Sequence, residues 1–366
     1  MFSKRSDGVK VKGLDAVTKA APFFMPTRLG AQNYMLHEFR CEPIDEFIAR
    51  QRRLGNNYTY THIMMASLVR LLYLRPKLNY FVNHNVIYEH KDITICMVVK
   101  KKLNEESEDV DLKFHFTGRE SLPQIKEYVD KLIAENVSED SVYGTTKDAD
   151  ALGKLPNWLF RLAMKIIRWM DRHNMLPKKL IDASCFHSSC FLTNLKSIKI
   201  DAINHHLYDF GTCSLFVAMG KEKIAPVVEK NKELKLGKVM NVGLTMDERV
   251  ADGFYFGKTL RIWKDMFENL DCLLEPMPED GSKKMTIKKR KTKKSKVKKM
   301  KVKKQKLTKE QIAEQKLHEK EEKLKIREEK REEKERQKEE SKEDKDRLRE
   351  EKKVLKFEKK NHKVAE

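Results

Sequence analysis

The chain has 366 residues, with 77 Lys+Arg against 56 Asp+Glu and a net charge of +21. Residues 281–366 hold 36 basic and 19 acidic side chains, which leaves residues 1–280 a net charge of only +4. The front part therefore reads as an ordinary folded domain, large enough to bury roughly three quarters of its unfolded surface. No stretch reaches the ~18 uncharged apolar residues that a membrane-spanning helix needs. The N-terminus MFSKRSDGVKVKG has no apolar signal core, and the expected location is the cytoplasm. The cysteines, Cys41, Cys96, Cys185, Cys190, Cys213 and Cys272, show no CxxC spacing. The expectation is buried free thiols, with neither a zinc site nor a disulfide framework and no metal elsewhere.

In chain order, PIDEFIARQRRL (43–54) reads as a helix opened by Pro43 and closed by Gly55. A second helix carries MMASLVRLLYL after Thr59 or Thr61 and stops before Pro76. NYFVNHNVIYEH then reads as two strands turned at Asn83-His84-Asn85, DITICMVVKK as a strong strand, and LKFHFTG as another after the acidic loop NEESEDVD. Residues 121–135 form an amphipathic helix with Leu122, Ile125, Val129, Leu132 and Ile133 on one face.

Residues 155–172 (LPNWLFRLAMKIIRWMDR) form a further helix, rich enough in Trp, Ile and Arg for a membrane surface. A core or subunit-packing helix is the preferred expectation, because strands follow at once. These are SCFLTN (189–194), TCSLFVAMG (212–220), KIAPVVE (223–229) and KVMNVGLTM (238–246), and a helix from Phe254 to Leu270 closes the domain. Strands greatly outnumber crossover helices, which predicts an α/β two-layer sandwich with a mixed sheet, not a doubly wound nucleotide-binding fold. Neither GxGxxG nor GxxxxGK is present.

The tail divides in two. Residues 281–309 contain 16 Lys/Arg and no acid, a density of like charge that predicts disorder until a polyanion neutralises it. Residues 310–366 are nearly balanced, with i,i+4 pairs such as Glu319 with Lys323 and Glu332 with Arg336. Ile312, Leu317, Leu324 and Leu348 are too sparse for a sustained coiled-coil seam, so a single charged helix or a solvated segment is expected.

The segment Asp247-Glu248-Arg249-Val250-Ala251-Asp252-Gly253 lies between a predicted strand and a predicted helix. It resembles the active-site signature of the chloramphenicol acetyltransferase-like superfamily, in particular the catalytic domain of the dihydrolipoyl acyltransferases of 2-oxoacid dehydrogenase complexes. That signature reads Asp-His-Arg, two variable residues, then Asp-Gly. Asp247, Arg249, Asp252 and Gly253 match it, and Glu248 stands where the catalytic histidine belongs. RPKLNYFV (75–82) and FLTNLKSI (191–198) resemble two further family segments, and Arg28 in PTRLGAQNY resembles the family's N-terminal arginine. Residues 20–275 follow the family order; a lipoyl domain is not expected in this chain, and the tail has no counterpart in the family.

The resemblance implies a chloramphenicol acetyltransferase-like sandwich, acyl-coenzyme A as substrate, and a homotrimer whose active site lies between subunits. It implies Thr193 as the hydroxyl facing the oxyanion, Asp252 paired with Arg28 as the structural ion pair, and Asn194 and Gly253 beside the substrate. Glu248 has two readings. Carried at an apolar subunit interface it holds its proton more tightly and serves as the base; salt-bridged to an arginine it is an ordinary carboxylate and the chemistry is lost. His205-His206-Leu207-Tyr208-Asp209-Phe210-Gly211 imitates a His-His-x-x-x-Asp-Gly signature with Asp209 one residue early, so its histidines enter only as candidates to line the pocket. The alternative to an enzyme is a non-catalytic trimeric scaffold that binds nucleic acid or an anionic membrane through 283–306. That run has no interleaved aromatic for base stacking.

Overall fold

The computed structural model describes residues 4–100, 109–136, 155–229 and 232–278. Every described residue lies in one compact unit. The expectations for 281–309, for 310–366 and for most of the acidic loop fall outside the described residues.

The elements are β1 (Gly8–Lys10), α1 (Ala16–Phe24), β2 (Gln32–Arg40), α2 (Glu42–Arg53), α3 (Tyr60–Leu74), β3 (Tyr80–Asn83), β4 (Val86–His90), β5 (Ile93–Lys100) and β6 (Asp109–Phe116). They continue with α4 (Leu122–Asn136), α5 (Asn157–Arg172), α6 (Lys178–Ala183), β7 (Cys190–Asn194), β8 (Leu215–Val228), β9 (Leu234–Asp247) and α7 (Gly253–Glu268). Six strands form one sheet in the order β2-β9-β8-β7-β5-β6, and β1-β4-β3 form a small second sheet. The β5/β7 and β7/β8 pairs are parallel and the other pairs antiparallel, so the large sheet is mixed, as expected for this α/β class.

Local chemistry sets the helix ends. Thr59 caps α3 in a reciprocal box with His62, and a left-handed Gly55 follows α2. The β3–β4 turn takes positive φ at His84 and Asn85, which matches the twist of a tight hairpin. Apolar residues surround α3, and residues 62–72 are accordingly buried between the sheet and its neighbouring helices. Trp263 of α7 is fully buried here, packs edge-on against Phe39 of β2, and donates Nε1–H to Ser67 Oγ at 2.8 Å.

The opposite face of the large sheet carries a smaller cluster of Cys96, Cys185, Phe191, Leu207, Cys213 and Phe216. This overturns the expectation of six free thiols, because Cys96 of β5 is disulfide-bonded to Cys185, 89 residues away and with its Cα at 5.7 Å. The four other cysteines are free.

The core expectation for the helix over 155–172 also fails. Asp171 is the one buried residue of α5. Its carboxylate pairs with Arg5 at 2.9 Å and with His187 at 3.3 Å, and its carbonyl accepts from Arg5 and Asn83. Nearby, His90 is fully enclosed, and burial pushes its imidazole down to about 3 from 6.5, against the pull of Asp7 and with the repulsion of Lys113. Burial likewise lowers Lys113 to about 8, while its ammonium donates to the carbonyls of Ile181 and Ser184.

Three outcomes are expected. In denaturant without reductant, four thiols titrate, rising to all six after reduction, and six from the outset would refute the bridge. Cys185→Ser lowers the unfolding free energy by about 2–4 kcal/mol. For His90, the unfolded chain binds a proton below pH 6.5 that the folded chain refuses until about 3, so stability is present above that window and lost as the pH falls through it. Denaturation between pH 6.5 and 5 then shows a slope that His90→Leu reduces by up to one proton; an unchanged slope would remove His90 as its source.

Candidate functional site

The signature segment leaves β9 at Asp247, turns through Glu248 to Ala251, and starts α7 at Gly253. Asp247 is completely buried, and its carboxylate is gripped fork to fork by Arg249: Nε donates to Oδ1 at 2.9 Å and Nη2 to Oδ2 at 2.7 Å. The Arg249 backbone N–H adds a bond of 3.1 Å to Asp247 Oδ1, and its Nη1 donates to the Met25 carbonyl. On the other side Arg28 Nε lies 3.6 Å from Asp247 Oδ2. Burial pushes the Arg28 guanidinium below its ordinary value, against the attraction of Asp247 and with the repulsion of Arg249. Its Nη atoms donate to the carbonyls of Tyr208, Val82 and Gly211.

Arg28 is thus paired with Asp247, which corrects the expected pairing with Asp252. Asp252 is exposed and caps α7, accepting the Tyr255 N–H at 2.7 Å. Gly253 opens the helix, and a Cβ there would meet nothing within 4 Å. Arg75 holds the first turn of α7 by stacking over the Tyr255 ring at 3.6 Å and by donating to the Tyr255 carbonyl and the Thr259 hydroxyl.

Glu248 points the other way. Its backbone N–H bonds to the Ala31 carbonyl at 2.8 Å, and its side chain is exposed on the protomer, flanked in sequence by buried Asp247 and buried Arg249. The arginine salt bridge of the second reading is absent among the described residues, where both arginines serve Asp247.

The imitation signature lies in the same place. The Asp209 carboxylate accepts the backbone N–H groups of Arg28 and Leu29, at 2.8 and 3.0 Å. Gln32, opposite Asp247 in the β2/β9 register, accepts the Leu207 N–H, and the Thr245 hydroxyl donates to the His205 carbonyl. The His205 ring stacks flat on Phe216, and burial lowers its affinity for a proton; His206 is exposed. The ribbon leading into this segment lies on the sheet backbone, where a Cβ at Gly220 would meet Ala202 N at 2.3 Å and one at Gly243 would meet Ile203 O at 2.2 Å.

Thr193 and Asn194 end β7, both half-buried. Asn194 donates to the Thr61 hydroxyl at 3.0 Å and accepts from Ser197 N–H, which gives it a local structural role. Thr193 pairs with Ala218 and Ala218 with Gly243, whereas Asp247 lies four residues further along β9. At about 3.4 Å per residue that is some 13 Å along the strand, with two strand spacings across the sheet. A single chain therefore does not bring Thr193 and Glu248 together. Beside the clamp, a cleft of about 280 Å³ is lined by Arg28, Asn85, Arg168, Arg172, Asp209 and Phe210, among others. Among the described residues no group of three or more His, Cys, Asp or Glu side chains is placed to hold a metal ion.

Residues 211–275 match the family model for the 2-oxoacid dehydrogenases acyltransferase (catalytic domain). The matched span holds β8, β9, the whole of Asp247–Gly253 and α7, so the resemblance drawn from the signature is borne out over these residues. No curated protein matches the chain. Among solved structures, a probable dihydrolipoamide acetyltransferase from Listeria monocytogenes is similar at 14% identity and a TM-score of 0.45, over 71% of this chain and 95% of that one. The Azotobacter vinelandii dihydrolipoamide acetyltransferase follows at 11% and 0.45, over 73% and 95%. A chloramphenicol acetyltransferase follows at 12% and 0.43, over 71% and 99%.

The acyltransferase-type segment is thus held by a buried Asp247 and not by Asp252. Asp247→Asn is expected to destabilise the chain by about 3–5 kcal/mol, since it strips the compensation from two buried guanidinium groups. Asp252→Ala costs only about 1 kcal/mol as a lost cap. Equal costs in chemical denaturation would refute this division of roles.

Proposed function

We propose that this chain is an acyltransferase of the 2-oxoacid dehydrogenase catalytic-domain type, transferring an acyl group from a coenzyme A thioester to a thiol, hydroxyl or amine. The observation that carries the reading is the doubly gripped Asp247, which fixes a loop of matching spacing and projects Glu248 out of it. The Glu248 carboxylate takes the acceptor's proton as the acceptor attacks the thioester carbonyl. The tetrahedral oxyanion receives a hydrogen bond from the Thr193 hydroxyl. The carbon–sulfur bond then breaks, and coenzyme A leaves with the proton returned by Glu248.

The register keeps Thr193 and Glu248 apart within one chain, so the reading requires a homotrimer in which Glu248 of one copy faces Thr193 of the next. Its surface is consistent with such contact. Past Met219 the β8/β9 hairpin carries Ile224, Val228, Leu234 and Leu236, each at least 66% exposed. Asp252 serves the site by starting α7 and Arg28 by holding Asp247, while Asn194, His205, His206 and Gly253 border the substrate. The 16 cations of 281–309 support a second reading, a polyanion-binding scaffold whose affinity falls steeply with salt.

The test is thiol release from a panel of acyl-coenzyme A thioesters with dihydrolipoamide, alcohol and amine acceptors, using the full chain. Turnover is expected to fall about 100-fold or more in Glu248→Gln, and by a similar factor in Thr193→Ala. Undiminished turnover in both variants would end these assignments, and a folded trimer silent across the panel would favour the scaffold.

A further inference from the structure

Among the described residues, helix α5 has no partner over most of its surface. Asp171, near its C-terminal end, ties it to Arg5, Asn83 and His187, and the preceding turns stand at the surface. At 100° per residue, Trp158, Leu162, Ile166 and Trp169 fall on one stripe, and they are 68, 46, 49 and 53% exposed. Arg161, Lys165, Arg168 and Arg172 fall on the adjoining stripe and are all exposed. The helix has a single acid, Asp171, which is buried and paired. The half-buried Ala163, Met164 and Ile167 take the side turned toward the body. The outward side is thus an apolar band with an indole near each end, edged by four cations that form no ion pair among the described residues.

We infer that α5 is an interfacial membrane helix, laying the Trp158–Trp169 stripe into the surface of a bilayer rich in anionic phospholipid. Leu162 and Ile166 would enter the acyl boundary, the two indoles would sit at headgroup depth, and Arg161, Lys165, Arg168 and Arg172 would pair with headgroup phosphates and carboxylates. The helix lies on the membrane without crossing it; no helix among the described residues is long and apolar enough to span one. Charge decides against an α5-on-α5 contact, because a two-fold pairing would set this cationic stripe against itself with no exposed acid on α5 to answer it. Nucleic acid would satisfy the cations but leave Leu162 and Ile166 in water. The apolar stripe on which the inference rests takes no part in the acyl-transfer reading, although Arg168 and Arg172 also line the cleft beside Arg28.

The experiment mixes the full chain with phosphatidylserine/phosphatidylcholine vesicles and with pure phosphatidylcholine vesicles, following co-sedimentation and tryptophan emission. Trp263 is buried, so a blue shift on adding vesicles reports Trp158 and Trp169. Binding to the anionic vesicles is expected to exceed binding to the neutral ones about tenfold or more, with a blue shift. Leu162→Glu/Ile166→Glu abolishes the shift and lowers binding about tenfold, and Arg161→Gln/Arg168→Gln weakens binding while leaving the apolar stripe intact. All four positions are exposed, so the variants fold. A blue shift of parental size in Leu162→Glu/Ile166→Glu would overturn the inference, as would one that depends on protein concentration and not on vesicles; the shift decides, because the 16 cations of 281–309 also draw the full chain to anionic vesicles.

Discussion

The fully buried Asp247 carboxylate is the constraint on which the candidate site rests. An isolated ion at that depth would be strongly unfavourable, and here it is offset by a two-pronged bond from Arg249 and an ion pair from Arg28. Because each arginine also donates to backbone carbonyls, the carboxylate organises more than itself. Through Arg28 it fixes the carbonyls of Val82, Tyr208 and Gly211, and through Arg249 that of Met25. Four separate stretches of chain therefore meet at one charge, and Glu248 is the side chain this knot turns outward.

A second buried carboxylate, Asp171, does comparable work beside the same cleft that Arg28 and Arg249 line. It joins the N-terminal Arg5, the loop carrying His187 and the end of α5. The fold thus spends its buried charges on fastening segments that a hydrophobic core holds poorly: a signature loop in one case, and a helix with an apolar outer side in the other.

Much of this was legible in the sequence. The α3 helix, the β3/β4 hairpin and β5 stood out because their apolar period and turn residues are local signals. Strand β2 did not, since only Phe39 along it is buried and its pairing with β9 joins residues some 200 positions apart. Two strands were expected, over 212–220 and 223–229, yet β8 runs through both with a bulge after Met219. Beyond that point β7 has ended, so Pro226 sits where β8 has β9 as its one neighbour and needs no second donor. The signature placed Asp247 and Asp252 correctly in the chain but could not say which of them meets Arg28, because both spacings suit a strand-to-helix turn. Cys96 and Cys185 were opaque for a plainer reason: nothing local marks two cysteines 89 residues apart as neighbours.

The ribbon over Gly220 and Gly243 has a consequence for how this surface can change. Its closest approaches to the sheet there are made by its own backbone, at distances that leave no room for even a methyl group beneath. Docking at these two points is therefore indifferent to which side chains the ribbon carries but intolerant of any at the glycines. At these two contacts the positions without side chains, Gly220 and Gly243, are the ones that cannot drift.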